Sequence, residues 1–211
     1  MKIEVANSAT YNKREYSTYE EACWAAFFDH RLIDWKVTYE PKDPKEQKER
    51  LNFTGWCPQF LIHKKNRPHT TCIAQVIRGN EFPEELGSVV TESLSGQADY
   101  EPLLIAESPF PVSNNRVCFG WYGHFFCGVD ELNELVYELH WSRAIFGRWT
   151  IVGGKIGFAT EHDPCYDYMR DFQDDRPAAM GEPQERYELG GAKLLVEEIN
   201  EIWSSSKMRV K

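Results

Sequence analysis

The chain has 211 residues and a globular composition, with 42% hydrophobic and 14% aromatic residues. This length fits one domain, or one domain with an elaborated second half, and the composition excludes a disordered chain. The formal charge of −9 at neutral pH opposes a general attraction to nucleic acid or to an anionic membrane. Because the chain also carries 24 Lys and Arg residues, its charge is too mild to indicate a mimic of DNA.

Cysteine usage and hydropathy bear on the cellular compartment. The six Cys residues include no C-x-x-C pair, and residues 1–16 lack the apolar stretch of a secretion signal. No apolar run in the sequence approaches the roughly 18 residues of a membrane span. We therefore expect reduced thiols, a cytoplasmic location and no membrane partner.

The first half of the sequence predicts alternating helices and strands. MKIEVA is an expected edge strand, and the helix after it begins at Ser17 or Thr18, with Glu20 and Glu21 at capping-box spacing, and ends near Arg31. Three strands follow, from WKVTYEP, FLIH and TTCIAQVI, and the third is apolar enough for a central strand covered on both faces. A helix from PEELGSVVTESLS and a strand from PLLIAE come next, and SPFPVSNN is expected to break the chain.

The second half predicts a less regular mixture of elements. RVCFGWYGHFFCGV is strand-like, and WTIVGGKIGFAT suggests two short strands around Gly153 and Gly154. DELNELVYELHWSRAIF fits a helix because its apolar residues recur at helical spacing. Those residues are Leu132, Leu135, Val136 and Leu139. A closing helix is predicted at about 187–204.

Several motifs of the first hundred residues occur in an order that points to a known family. They are YSTYEEACWAAFFDHRLIDWKVTYEP, CPQFLI, CIAQVI, FPEE, EPLLIAE and SPFP. In this order they resemble PD-(D/E)XK nuclease-like domains of uncharacterised phage and prophage proteins, and GFATEHDPCYDYMRDFQDD resembles the C-terminal part of that group. The resemblance implies an α/β fold whose restriction-endonuclease-like core runs helix, three strands, helix, strand, in a mixed sheet flanked by helices. Residues 1–112 would form the core and residues 113–211 an aromatic-rich α+β extension packed on it.

The nuclease site that the resemblance implies has lost its central residues. Nucleases of this fold hold Mg²⁺ with strand carboxylates and use a strand Lys beside them. Here Gln59 stands at the Asp position, Gln75 at the second acidic position and Ile77 at the Lys position, while Glu21 remains on the first helix. Because an amide supplies no charge to a hard cation, we expect no catalytic residue, no metal and no cofactor at these degenerate positions.

The remaining polar residues at this place have two interpretations each. The glutamines either belong to a structural hydrogen-bond network or form a pocket that reads base edges. A buried unpaired amide costs roughly 1–3 kcal/mol, so each glutamine is expected to have a partner. Glu21 is either a surviving metal ligand or a first-turn residue favoured by the helix dipole.

The densest positive cluster is HKKNRPH, which contains His63, Lys64, Lys65, Arg67 and His69. These residues either grip phosphate or form an ordinary solvated turn. The two histidines are weaker metal-ligand candidates because no carboxylate or Cys is arranged beside them in sequence.

Three further stretches carry weaker signals. TEHDPCYD suggests a Cys/His nucleophile or a zinc site, but Asp-Pro marks a turn, where such residues collect. The residues in question are His162, Asp163 and Cys165. Gly153-Gly154-Lys155 lacks the spacing of a phosphate-binding loop. FGWYGHFF is expected in the core rather than as a stacking platform.

The sequence therefore predicts a non-catalytic, phage-type accessory protein that binds a host or phage protein, or DNA through the basic turn, and it leaves the oligomeric state open. The alternative is an endonuclease dependent on Mg²⁺ or Mn²⁺ whose catalytic residues have moved, with Glu21, Asp34, Lys36 and Glu40 as candidates. A structural or assembly role is suggested only by the aromatic second half.

Overall fold

A computed structural model describes residues 8–30, 35–37, 56, 58–63, 71–94, 100–112, 116–129, 135–149, 155–160 and 192–211. Its strands are β1 (Ala9–Tyr11), β2 (Arg14–Tyr16), β3 (Trp35–Val37), β4 (Phe60–His63), β5 (Thr71–Val76), β6 (Tyr100–Val112), β7 (Arg116–Val129), β8 (Leu135–Trp149) and β9 (Lys155–Thr160). Its helices are α1 (Tyr19–His30), α2 (Glu84–Ser93) and α3 (Ala192–Met208). None of these described helices combines the length and the apolar composition that a membrane span requires.

Seven strands form one mixed sheet in the order β3-β4-β5-β6-β7-β8-β9. Neighbouring strands are antiparallel except β5 and β6, which are parallel and are joined through α2. The predicted order of helix, three strands, helix and strand is therefore present as α1, β3, β4, β5, α2 and β6, and the α/β class is confirmed. Strands from both sides of residue 112 belong to the same sheet, because β7 pairs directly with β6. The division at residue 112 stays a prediction.

The helices α1 and α3 cover one face of this sheet. Residues 21–28 of α1 are all buried, because the helix lies among the sheet, α3 and the β1–β2 hairpin. Trp24 is the centre of this layer: its ring lies 4.7 Å from that of Trp203, and its Nε1 donates to the Ala106 carbonyl at 2.9 Å. Such a bond satisfies the one polar atom of an otherwise apolar side chain.

The helix α2 covers the opposite face. Val90 packs there with Ile73 and Leu104 of the two parallel strands and with Trp121 of β7. Since both faces of β5 and β6 are covered, their near-continuous apolar sequences are explained, as predicted for a central strand.

The predicted helix at residues 130–146 is wrong where the structure describes it, because residues 135–149 form β8. Twelve residue pairs join β8 to β7, and β9 pairs with its other edge. Its side chains alternate: Leu139 and Trp141 lie against the α2 face, whereas Ala144 and Phe146 lie in the core under α1. The helical spacing of a few Leu and Val residues is outweighed by pairing with β7, and β9 adds a second partner for residues 144–149.

The chain does not break in the first part of SPFPVSNN, because β6 continues through residues 108–112; residues 113–115 lie outside the described part. A register shift between Ile105 and Phe110 accommodates the segment that contains Pro109, since a proline cannot donate to a regular ladder. Opposite this irregularity, Gly120 has φ +156°, and a Cβ atom there would lie 2.1 Å from the Leu104 carbonyl oxygen. A glycine is therefore required for β6 and β7 to approach each other at this point.

The two ends of the described chain meet beside α1. The hairpin β1–β2 turns through Asn12 and Lys13, both with positive φ, and Thr10 exchanges two backbone hydrogen bonds with Lys211, of 2.7 and 2.9 Å. The expected strand MKIEVA, residues 1–6, lies outside the described residues. The predicted closing helix is confirmed as α3, which ends at Met208; residues 187–191 also lie outside the described part.

Candidate functional site

Glu21 caps the first turn of α1. Its backbone N–H donates to Thr18 Oγ1 at 3.2 Å, and its carboxylate accepts the Ser17 N–H at 3.1 Å. The Thr18 backbone also donates to this carboxylate, and the exchange between Thr18 and Glu21 forms a capping box, as the sequence spacing indicated. The residue is buried, and desolvation raises the pKa of its carboxyl although the bonds from Ser17 and Thr18 oppose that shift. Glu21 therefore has a structural role in this arrangement.

Gln59 holds the start of β4 to β5. Its backbone N–H donates to the Ala74 carbonyl at 2.8 Å, and its Oε1 accepts the Val76 N–H at 2.9 Å. Pro58 directly precedes it, and the regular ladder ends there. The side-chain amide thus takes the place of a backbone carbonyl for Val76, which explains why a polar side chain is kept among apolar neighbours.

Gln75 differs from Gln59 although it lies on the neighbouring strand. Its Oε1 is buried and accepts no hydrogen bond from the described residues. Ile77, at the position of the missing Lys, is buried in the cluster under α2, and its N–H donates to the Ile105 carbonyl at 2.8 Å. An apolar side chain at this position therefore completes the core.

The structure places Glu21 and Gln75 on opposite faces of the sheet. Ala74 and Val76 face the core under α1, so the alternation of a strand places Gln75 with Ile73 and Ile77 on the α2 face. Glu21 belongs to α1, on the other side of the sheet. A cation held jointly by Glu21 and Gln75 would have to span the sheet.

Most of the other predicted site residues lie outside the described part of the chain. Lys64, Lys65, Arg67 and His69 fall in residues 64–70, which connect β4 to β5; the flanking His63 and Thr71 are paired with each other. Asp34, Glu40, Gly153, Gly154, His162, Asp163 and Cys165 also lie outside it. Lys36 is described and is exposed on the edge strand β3.

The aromatic stretch FGWYGHFF contributes to the core where its side chains are described. Phe119, Trp121 and Tyr122 are buried, in agreement with the sequence interpretation. Tyr122 nevertheless carries a polar contact that the sequence did not indicate: its hydroxyl donates to Glu101 of β6. Its ring also lies edge-on to that of His124, with centroids 4.6 Å apart. Only the pairing of β6 with β7 brings Glu101 to Tyr122.

Among the residues that the structure describes, no three His, Cys, Asp or Glu side chains are gathered in a geometry that would hold a metal ion. At the positions that the sequence predicted, Glu21 caps α1, Gln59 joins β4 to β5 by a hydrogen bond, and Ile77 packs in the core. The chain matches no protein-family model, and it is not significantly similar to any curated protein or solved structure.

Proposed function

We propose that this chain is a non-catalytic, phage-type accessory protein that uses a degenerate PD-(D/E)XK nuclease-like scaffold to bind a partner. The proposed partner is duplex DNA, which is held by the connection between β4 and β5, called here the basic segment. The order of α1, β3, β4, β5, α2 and β6 in a mixed sheet supports the scaffold. The motif order in the sequence supports the same assignment.

The observation that carries the non-catalytic part is the hydrogen bond from the Val76 N–H to Gln59 Oε1, at 2.9 Å. In a nuclease of this type, a carboxylate at this position would turn its charge toward Mg²⁺. Here the Gln59 side chain accepts a hydrogen bond from the neighbouring strand, and it carries no charge. Ile77 supplies no ammonium group, and Glu21 caps α1. The position therefore serves stability rather than hydrolysis.

The basic segment is proposed as the contact because charge is concentrated there in an acidic chain. Lys64, Lys65 and Arg67 lie within the seven residues that separate the paired residues His63 and Thr71. These cations are close together in sequence, within the short connection between two paired strands. Phosphate contacts of this kind position a protein on DNA without reading its sequence.

The test combines a binding assay with a cleavage assay. Anisotropy of a short fluorescent duplex should report binding that weakens as salt rises, and the Lys64→Ala/Lys65→Ala variant should lower the salt slope by about 2. The matched control, Lys207→Ala/Lys211→Ala, removes two exposed lysines outside the segment and should leave the slope unchanged. Undiminished binding by the first variant, or no binding at low salt, would rule out the DNA contact.

Plasmid cleavage with Mg²⁺ and Mn²⁺ tests the non-catalytic part separately. We expect no metal-dependent nicking above the level of a heat-denatured sample. Cleavage that disappears in Glu21→Gln or in Lys36→Ala would instead establish an endonuclease with displaced catalytic residues. Because Gln at position 21 can still accept the Ser17 N–H, loss of cleavage in that variant would not reflect loss of the helix cap.

A further inference from the structure

One row of the sheet, on the face that carries α1 and α3, consists of metal-ligating residue types on four neighbouring strands. Cys72 of β5 pairs with Glu101 of β6, and His124 of β7 pairs with His140 of β8. Glu101 and His124 are neighbours as well, because Leu103 and Tyr122 are paired two residues away on antiparallel strands. The next row, by contrast, contains the core residues Phe60, Ala74, Leu103 and Tyr122.

Burial decreases along this row from β5 to β8. Cys72 is fully buried, Glu101 and His124 are half-buried, and His140 is exposed. The row thus leads from the core under α1 to solvent at His140. A half-buried carboxylate and imidazole side by side are costly to desolvate unless polar partners satisfy them, as the Tyr122 hydroxyl does for Glu101.

We propose that His124 and His140 form a two-histidine site for Zn²⁺, with the carboxylate of Glu101 beside it. Imidazole nitrogen is a preferred ligand of Zn²⁺. Directly opposed residues on antiparallel strands have Cβ atoms roughly 4.5–5.5 Å apart, so two imidazoles on the same face can bind one ion. Water completes the coordination, since the described residues do not gather three protein ligands.

Glu101 and Tyr122 have supporting roles at this site. The Glu101 carboxylate offsets the charge of the ion, and its contact with the Tyr122 hydroxyl fixes its position. The Tyr122 ring, edge-on to His124 at 4.6 Å, limits the orientations of that imidazole. A ligand held in place by neighbours loses less freedom when the ion binds. Because Nε2 of His124 is buried, the ion reaches the site from the side of His140.

Competition of the intact protein with a chromogenic Zn²⁺ chelator tests this site, which does not depend on the proposed function. We expect one Zn²⁺ per chain, with affinity at least about 10-fold weaker in His140→Ala and a smaller loss in Glu101→Gln. His140 is exposed, so its replacement should change the thermal unfolding of the metal-free protein much less than it changes the affinity for Zn²⁺. Zn²⁺ should raise the unfolding temperature of the parent protein but not of His140→Ala.

Two controls separate this site from the other histidines. His30→Ala removes an exposed histidine of α1, and His63→Ala/His69→Ala removes the two beside the basic segment; both variants should bind Zn²⁺ as the parent does. Binding should also weaken at acidic pH, because a protonated imidazole has no lone pair for the metal. Unchanged affinity in both His140→Ala and His124→Gln, or loss of binding in a control variant instead, would overturn the proposal.

Discussion

Gln59 and Gln75 are the same residue type on neighbouring strands, yet the structure predicts opposite responses to replacement by Met. Met has a similar length and shape but cannot accept the bond that Gln59 Oε1 receives from the Val76 N–H at 2.9 Å. Gln59→Met should therefore leave the partly buried Val76 N–H without its hydrogen-bond acceptor. Gln75→Met should instead remove a buried oxygen that accepts no bond from the described residues.

The magnitudes follow from these two environments. An unsatisfied buried donor costs about 1–3 kcal/mol, and the half-buried position of Gln59 favours the lower part of that range, about 1–2 kcal/mol. For a chain of this size the unfolding temperature of Gln59→Met should fall by about 2–8 °C. Gln75→Met should lie within about 0.5 kcal/mol of the parent protein or be more stable, because replacement ends the desolvation of its oxygen.

Urea unfolding followed by Trp fluorescence gives the free energies, and amide hydrogen exchange gives the local test. The Val76 amide should exchange faster in Gln59→Met and at the parental rate in Gln75→Met. If the two glutamines bonded each other, the double variant would show a coupling energy above about 0.5 kcal/mol. Equal destabilisation by the two single variants, or strong coupling between them, would refute the role assigned to Gln59.

Two further predictions concern backbone strain and pH. Gly120→Ala should cost at least about 3 kcal/mol in urea unfolding, because its Cβ would lie 2.1 Å from the Leu104 oxygen, whereas Gly79→Ala, with φ +76° and nothing within 4 Å, should cost about 1–2 kcal/mol; equal losses would contradict the close approach. Glu21→Gln should raise thermal stability near pH 7 and lose this advantage as the pH falls below the ordinary Glu range. The pKa of Glu21 is raised in the folded state, so its stability contribution declines as pH rises from the unfolded to the folded pKa; a pH-independent difference would contradict this sign.

The sequence allowed the first half of the fold to be predicted because its local signals agree with its long-range pairing. The capping spacing of Thr18 and Glu21 identifies the start of α1, and the continuous apolar run of TTCIAQVI identifies a covered strand. The sequence also indicated that Gln59 needs a partner. It did not identify the partner, because Val76 is brought to Gln59 only by the pairing of two strands.

The errors in the second half have the same origin. Leu135, Val136 and Leu139 have helical spacing, but β7 offers them backbone partners, and β9 pairs with the later residues 144–149 of the same strand. Propensity within one segment is a weak guide when neighbouring strands determine its state. The helix prediction also concealed the row that contains His140, since its alignment with His124 exists only when residues 135–149 form a strand.

The packing of α1 against α3 has a consequence for synthesis of the protein. Trp24 and Phe27 have their aromatic neighbour Trp203 more than 170 residues later in the sequence. While the ribosome is still adding the intervening strands, this side of α1 has no α3 to cover it. The layer can therefore be completed only after the last helix has been synthesised. A nascent chain that stalls before α3 leaves this aromatic surface exposed, and chaperones bind surfaces of this kind.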